Sequence, residues 1–340
     1  MKIVSGLGSV DDYIPLAEAG ADEFFCGYVP NEWLSRYGVF LPLNRREVLY
    51  YNVQIGSASE LKILWKMVEH YGTPVKITFN SLYYLPEQYP VVAKLIKDCM
   101  AIGFDTFIIA DVALILYLRQ HGVDCRIHLS GETAEVNHLM IEQMNEFHIT
   151  RYIFHRKNTI ADMKACINSQ KGRNLEFEAF ILNEYCQFTG AFCNSLHCDE
   201  LPHLCKVPYR MGKLRNVGGN FENVWEKLSQ SNEAEMEGDV ELEDGDILKC
   251  IEDNLEEEYQ TGSSGCGLCA LKQLNDAGVT HLKLVGRGNY VDYMVKDIQV
   301  LKRAICMAEK VEEEKMYKKE VRERLLRWGC LENCYYLEHR

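Results

Sequence analysis

The residues best suited to chemistry in this sequence are its cysteines. Four of them lie within a span of twenty residues: Cys186, Cys193, Cys198 and Cys205. A Cys-x2-Cys pair, Cys266 and Cys269, follows about sixty residues later. Thiolates are soft ligands that bind zinc or iron–sulfur clusters in preference to hard cations. The grouping therefore predicts a metal site, whereas the isolated Cys99 and Cys166 are expected to pack as small hydrophobic side chains.

The composition favours reduced thiols over disulfides. The chain has 340 residues, 14 cysteines and 47% hydrophobic residues, enough for one large domain or two ordinary ones. No apolar run reaches the length of a membrane span, and the N-terminus enters a strand-like segment rather than a secretory signal. We therefore expect a cytoplasmic protein in which clustered cysteines bind a metal.

Nearly all of the net charge of −13 lies in one segment. Residues 233–258 hold thirteen acidic side chains and a single basic one, Lys249. We interpret residues 223–264 as a solvated acidic insertion, and a partner-binding arm is the alternative. Because the rest of the chain is close to neutral, charge does not indicate nucleic-acid binding.

Short apolar strands alternate with amphipathic helices along the chain. Eight strands are expected near residues 3–7, 22–27, 75–80, 106–111, 126–130, 151–156, 175–182 and 281–286. The clearest helix covers residues 57–70, where apolar residues recur at i, i+3, i+4 and i+7. This alternation predicts a (β/α)8 TIM-barrel-like fold, regular or distorted, with the cysteine-rich site at its C-terminal rim. We assign residues 1–290 to the barrel and residues 291–340 to a C-terminal helical extension.

In such a barrel, functional residues gather where the strands end. The polar residues found there are Cys26, Asn80, Asp111, Ser130, Glu132, His155, Arg156, Asn183, Glu184 and Arg287. Arg45, Arg156 and Arg287 are candidates to bind an anionic co-substrate, because guanidinium groups bind carboxylates through two hydrogen bonds. His128 and His155 could carry protons near neutral pH. The alternatives are helix caps, salt bridges and packed histidines.

A series of motifs in a shared order carries a resemblance to a known family. The main one runs from Glu176 through Cys186, Cys193 and Cys205 to Pro208-Tyr209-Arg210. Shorter matches are Ala19-Gly20-Ala21-Asp22, Leu43-Asn44-Arg45, Phe79-Asn80, Asp111, the segment from Ser130 to Asn137, and the closing run from Leu268 to Arg287. Over roughly residues 1–300, the chain resembles the U32 peptidase family, the collagenase-like proteins.

The resemblance implies more than the family label says. Relatives include oxygen-independent hydroxylases of tRNA, ribosomal RNA and the ubiquinone ring, which carry a [4Fe–4S] cluster and for which prephenate is implicated as the oxygen source. By position, the implied cluster ligands are Cys186, Cys193, Cys205 and Cys269. Cys198 and Cys266 are nearby thiols, either of which could replace a neighbour. Some relatives work as pairs of related chains, so a paired chain is a possible partner.

The sequence departs from the family pattern in its acidic residues. Val285 replaces the Glu of the closing motif, His155-Arg156-Lys157 stands in place of "SRE", and Phe192 replaces an Arg. The relatives' chemistry therefore does not transfer unchanged. We name as candidate catalytic residues Arg45, Asn80, Asp111, His155, Arg156 and Arg287.

Three functions are compatible with these observations. The main hypothesis is a [4Fe–4S]-dependent redox enzyme of the hydroxylase type, acting on an aromatic or nucleotide substrate. The alternatives are a peptidase, as the family label says, and a non-catalytic partner subunit stabilised by zinc. Cys330 and Cys334, outside the resemblance, could bind a second metal or cap the C-terminal tail.

Overall fold

The structure is a computed structural model that describes residues 1–38, 41–45, 53–133, 136–186, 193, 259–326 and 329–336. The strands are β1 (Lys2–Gly6), β2 (Glu23–Tyr28), β3 (Gln54–Ile55), β4 (Val75–Phe79), β5 (Thr106–Ile109), β6 (Arg126–Leu129), β7 (Ile149–Ile153), β8 (Glu176–Leu182) and β9 (His281–Leu284). The helices are α1 (Tyr13–Ala19), α2 (Asn31–Tyr37), α3 (Ala58–Tyr71), α4 (Tyr89–Ile102), α5 (Val112–Gln120), α6 (His138–Gln143), α7 (Ile160–Ser169), α8 (Leu271–Ala277), α9 (Val291–Lys310) and α10 (Glu314–Arg324).

The strands close into a parallel barrel. The pairing order is β1-β9-β8-β7-β6-β5-β4-β2, and β1 also pairs with β2, which completes the ring. Closure is visible in the register, because Val4 of β1 lies opposite Glu23 of β2 and opposite Lys283 of β9. The TIM-barrel-like fold predicted from eight strands is confirmed. The two-residue β3, which pairs with the end of β2, was not expected.

Local signals place the helices around the barrel. In α3, the Ser57 side chain accepts a hydrogen bond from the Glu60 amide and begins the helix. Gly72 ends it with φ 82°, a left-handed conformation that glycine adopts without strain. Leu61 and Leu64 form its buried face. The helix expected over residues 57–70 is therefore confirmed.

The first of the two C-terminal helices packs on the barrel at β1. The apolar side of α9, with Met294, Ile298 and Leu301, is buried, and α9 packs against α1 and β1. A long helix from residue 291 to about 327, unbroken or broken once, was expected, and the structure has one break at residues 311–313, between α9 and α10. No helix among the described residues is long and apolar enough to cross a bilayer. Most of the acidic insertion lies outside the described residues.

Candidate functional site at the barrel mouth

A polar cavity of about 70 Å³ lies where the barrel strands end. Its charged lining residues are Arg45, Glu132, Arg156, Glu184, Lys283 and Arg287. Four cations therefore face two carboxylates, and the surplus of positive charge favours an anion. Of the six candidate catalytic residues, the structure brings Arg45, Asn80, Arg156 and Arg287 to this cavity.

Arg287, which follows β9, reaches across the mouth towards β4. Its Nη1 donates a hydrogen bond to the Thr78 hydroxyl at 3.3 Å. A Cβ atom placed on Gly27 of β2 would lie 2.8 Å from that same Nη1. The glycine therefore leaves the space that the guanidinium occupies.

Glu132, which follows β6, pairs with two of the arginines. Arg156 donates through Nη1 to Glu132 Oε1 at 2.9 Å, and the Nε of Arg45 lies 3.7 Å from Glu132 Oε2. The Arg156 guanidinium also lies 4.0 Å from the centroid of the Phe180 ring, a cation–π distance. Burial alone would lower the pKa of Arg156, but the ion pair with Glu132 raises it above its ordinary value. Arg156 is therefore a fixed positive charge.

Asparagine side chains hold the segment that carries Arg45 against β4. Asn44 accepts a hydrogen bond from the Thr78 hydroxyl at 2.8 Å. Asn80 accepts one from the backbone amide of Arg45 at 3.1 Å. The Asn80 side chain thus positions Arg45 by binding the Arg45 backbone amide. The sequence motif alone did not indicate this role.

The other two candidates, Asp111 and His155, do not line the cavity. Asp111 caps α5 by accepting from the Ala113 amide at 2.8 Å, and it also accepts from the Tyr84 amide and the Tyr89 hydroxyl, each at 3.1 Å. His155 is buried, and burial lowers its pKa to about 4. It is therefore neutral at pH 7. Both residues fit the alternatives named above, a helix cap and a packed histidine.

A buried ion-pair network forms the floor beneath the mouth. Arg151 of β7 donates to Glu23 at 2.5 Å and to Glu178 at 2.8 Å, and Lys283 donates to the other oxygen of Glu178 at 2.8 Å. Burial alone would raise the pKa of Glu178, but Lys283 and Arg151 lower it to about 2. No motif or strand-end pattern predicted this network. Its signal was a set of opposite charges placed inside otherwise apolar strands.

The cysteines divide between two places. Cys186 follows β8 through a tight turn in which Asn183 and Glu184 have φ 67° and 49°, the left-handed region. Cys193 is buried, and Cys198 and Cys205 lie outside the described residues. Cys269, by contrast, lines a separate cavity together with Cys266, Cys330 and Cys334. In the part of the chain that the structure describes, no three His, Cys, Asp or Glu side chains stand as a finished ligand set.

The comparison with known proteins agrees with the barrel and the motifs. The model of peptidase family U32 matches residues 8–340. The chain belongs to peptidase family U32. A curated relative of this U32 chain, tRNA hydroxylation protein P of Escherichia coli (strain K12), is 22% identical over 231 residues, which cover 62% of this chain. The match covers 50% of that protein, so the chain spans about half the length of the relative.

Solved structures give weaker likenesses to the U32 chain. The U32 peptidase Mk0906 has a TM-score of 0.41 at 12% identity, with 56% of this chain and 73% of that chain covered. Dihydrodipicolinate synthase from Oceanobacillus iheyensis also has a TM-score of 0.41, at 10% identity, with 94% and 77% covered. Because these TM-scores are low, the assignment of the barrel rests on the strand pairing alone.

Proposed function

We propose that this U32 chain is an iron–sulfur-dependent redox enzyme of the hydroxylase type, which binds an anionic co-substrate in the barrel mouth. The observation that carries the proposal is the grouping of Arg45, Arg156 and Arg287 around one cavity at the carboxyl ends of the strands. The curated relative named for tRNA hydroxylation supports a reaction of this type. The substrate that becomes hydroxylated is proposed to be aromatic or a nucleotide.

The proposed cofactor is a [4Fe–4S] cluster, with zinc as the alternative. Cys186, Cys193 and Cys205 would supply three thiolates, and Cys269, as the resemblance implies, or the neighbouring Cys198 would supply the fourth. The donor set suits the cluster because cysteine thiolates are its usual ligands. When bound, the cluster supplies single electrons at a potential set by burial and hydrogen bonds to sulfur.

The residues of the mouth would bind and orient the carboxylate end of the co-substrate. Arg156 is held in place by Glu132 and Phe180 and lines the cavity. A guanidinium fixed in this way can bind a carboxylate oxygen through a charged hydrogen bond. Lys283, which donates a hydrogen bond to Glu178, adds positive electrostatic potential at the floor of the cavity. A dicarboxylate such as prephenate has the chemistry that this arrangement selects.

Binding of prephenate to the anaerobically purified protein, followed by calorimetry, tests the mouth. Arg156→Gln and Arg287→Gln should each weaken binding about tenfold or more, because each removes a charged hydrogen-bond donor worth about 1.5–3 kcal/mol. Arg126→Gln is the control, since Arg126 pairs with Asp105 on the exposed, opposite end of the barrel. Equal affinities in all four proteins, or no binding by the wild type, would contradict the proposal.

The family label keeps a peptidase as the second candidate. Peptide hydrolysis by the purified protein that survives Cys186→Ser and Cys193→Ser would favour it over the redox enzyme.

A further inference from the structure

The C-terminal tail places a buried tyrosine beside the barrel mouth. The tail (residues 329–336) pairs with the crossover before β9, where Cys266 and Cys334 form a parallel β-bridge. The Tyr335 amide donates to the Cys266 carbonyl at 2.9 Å, and the Tyr335 side chain is buried. Its ring lies nearly parallel to the ring of Phe180, which lines the mouth cavity, with the centroids 6.3 Å apart. Backbone pairing and ring packing therefore fix this tyrosine in place.

The Tyr335 hydroxyl holds the turn that leads to Cys186. It donates a hydrogen bond to the backbone carbonyl of Asn183. Asn183 has φ 67°, a conformation that a residue other than glycine keeps when surrounding contacts hold it. The Asn183 side chain also donates to the buried carboxylate of Asp297 at 2.7 Å. Tyr335 is thus one of the contacts that set the backbone leading to Cys186.

The same hydroxyl faces an arginine of the mouth. Arg156 and Tyr335 both lie against the ring of Phe180, and the guanidinium carbon is 4.0 Å from the ring centroid. Burial raises the pKa of Tyr335 above its ordinary value, whereas the charge of Arg156 and a hydrogen bond with its guanidinium act in the opposite direction. Cys186 lies close enough that negative charge on its sulfur raises this pKa further. A tyrosine hydroxyl can accept from the guanidinium while it donates to a carbonyl.

We propose that Tyr335 is a positioning residue that links Arg156 of the mouth to the turn carrying Cys186. Hydrogen bonds in a chain polarise one another, so the bond from Arg156 strengthens the bond that Tyr335 donates to the turn. An anion that takes the donors of Arg156 weakens the hold of Tyr335 on the turn. Cys186 therefore becomes more accessible when the mouth is occupied.

Only one part of this link rests on the proposed function. The effect of an anion depends on the binding of a carboxylate in the mouth. The contact between Tyr335 and the turn does not, because the hydroxyl donates to Asn183 whatever the mouth binds.

Two adjacent tyrosines of the tail supply a matched pair of variants. Tyr335→Phe keeps the ring that packs on Phe180 and removes the hydroxyl that faces Arg156 and the turn. Tyr336→Phe likewise removes a buried hydroxyl from the tail, but this hydroxyl donates to the Phe180 carbonyl of β8 at 2.6 Å. A loss of tail anchoring alone would affect both variants, whereas a loss of the link affects only Tyr335→Phe.

The rate at which iodoacetamide alkylates Cys186 in the full chain, purified without oxygen, tests the inference. Peptide mass spectrometry follows each cysteine separately. Cys186 is half-buried, so its reaction follows the local opening of its turn. Tyr335→Phe should speed the reaction about threefold to tenfold, the equivalent of one lost hydrogen bond. Tyr336→Phe should react as the wild type does, and the exposed Cys306 should react equally in all three proteins.

Addition of saturating prephenate tests the part of the link that involves the mouth. Prephenate should speed alkylation of Cys186 in the wild type and in Tyr336→Phe, and it should leave the rate in Tyr335→Phe unchanged. Equal rates in the two variants without prephenate would overturn the inference, as would a prephenate effect of equal size in Tyr335→Phe.

The proposed function and this inference fail in different ways. A wild type that binds no prephenate in calorimetry contradicts the function proposed for the mouth. The alkylation rates without prephenate then still decide the contact with the turn: faster reaction in Tyr335→Phe alone supports it, and equal rates in the two variants refute it.

Discussion

Replacing Glu178 by Gln should destabilise the barrel strongly. Glu178 is fully buried and accepts hydrogen bonds from both Arg151 and Lys283 at 2.8 Å. Glutamine removes the negative charge and turns an N–H₂ group towards these donors. The pKa of about 2, against an ordinary value of 4.5, corresponds to about 3 kcal/mol. Breaking a buried ion pair by removing one partner costs roughly 3–5 kcal/mol, so the two estimates agree.

Urea unfolding at pH 7 measures this loss, with Glu176→Gln as the matched control. Glu176 also pairs with Arg151 at 2.8 Å, but its side chain is 41% exposed, and exposed pairs contribute about 0–1 kcal/mol. Since the folded-state pKa of Glu178 is depressed, its contribution is complete above about pH 4.5 and is lost as the pH falls towards 2. The wild type and Glu178→Gln should therefore converge in acid. A Glu178→Gln variant no less stable than Glu176→Gln would refute the reasoning.

Three further outcomes follow from the structure. Burial lowers the pKa of His281 from 6.5 to about 4. Between these pH values the unfolded chain binds a proton that the folded chain does not, so stability should fall as the pH drops from 6.5 to 4. His281→Gln should flatten that part of the plot of unfolding free energy against pH, and an unchanged plot would argue against a buried neutral histidine. Asp111→Ala should lower the free energy of unfolding by about 2–4 kcal/mol, because it removes the α5 cap and the acceptor for the buried Tyr84 amide. Prephenate affinity should be unchanged. Weaker prephenate binding by the folded variant would show that Asp111 belongs to the binding site. Gly27→Ala should displace the guanidinium of Arg287 and weaken prephenate binding about tenfold, or ~1.4 kcal/mol; calorimetry that finds full affinity would show that the arginine is not placed as described.

The barrel could be predicted from the sequence because its signals are local. Each strand is a short apolar run, and each helix carries its own periodicity and end signals, such as Ser57 and Gly72 for α3. The same local signals missed β3, since two residues carry no pattern. They did not fix where the C-terminal helical segment breaks, because charge-rich sequence continues through residues 311–313, which separate α9 from α10.

The site was only partly predictable, because its chemistry depends on distance between strands. Strand ends pointed to Arg156, Asn80 and Arg287, which the structure places around one cavity. They also suggested Asp111 and His155, since a strand end does not reveal whether a side chain turns into the mouth or back onto the next helix. Lys283 escaped notice because its partner, Glu178, is 105 residues away in the chain. The grouping of Cys330 with Cys266 likewise depends on a tail whose return to β8 leaves no sequence pattern.

The most direct test of the redox proposal is the iron and acid-labile sulfide content of protein purified without oxygen, together with its paramagnetic resonance spectrum after reduction. We expect about four iron and four sulfide per chain, with both lost in Cys186→Ser and Cys193→Ser. A protein that contains zinc but neither iron nor sulfide, even after anaerobic reconstitution with both, would contradict the redox proposal.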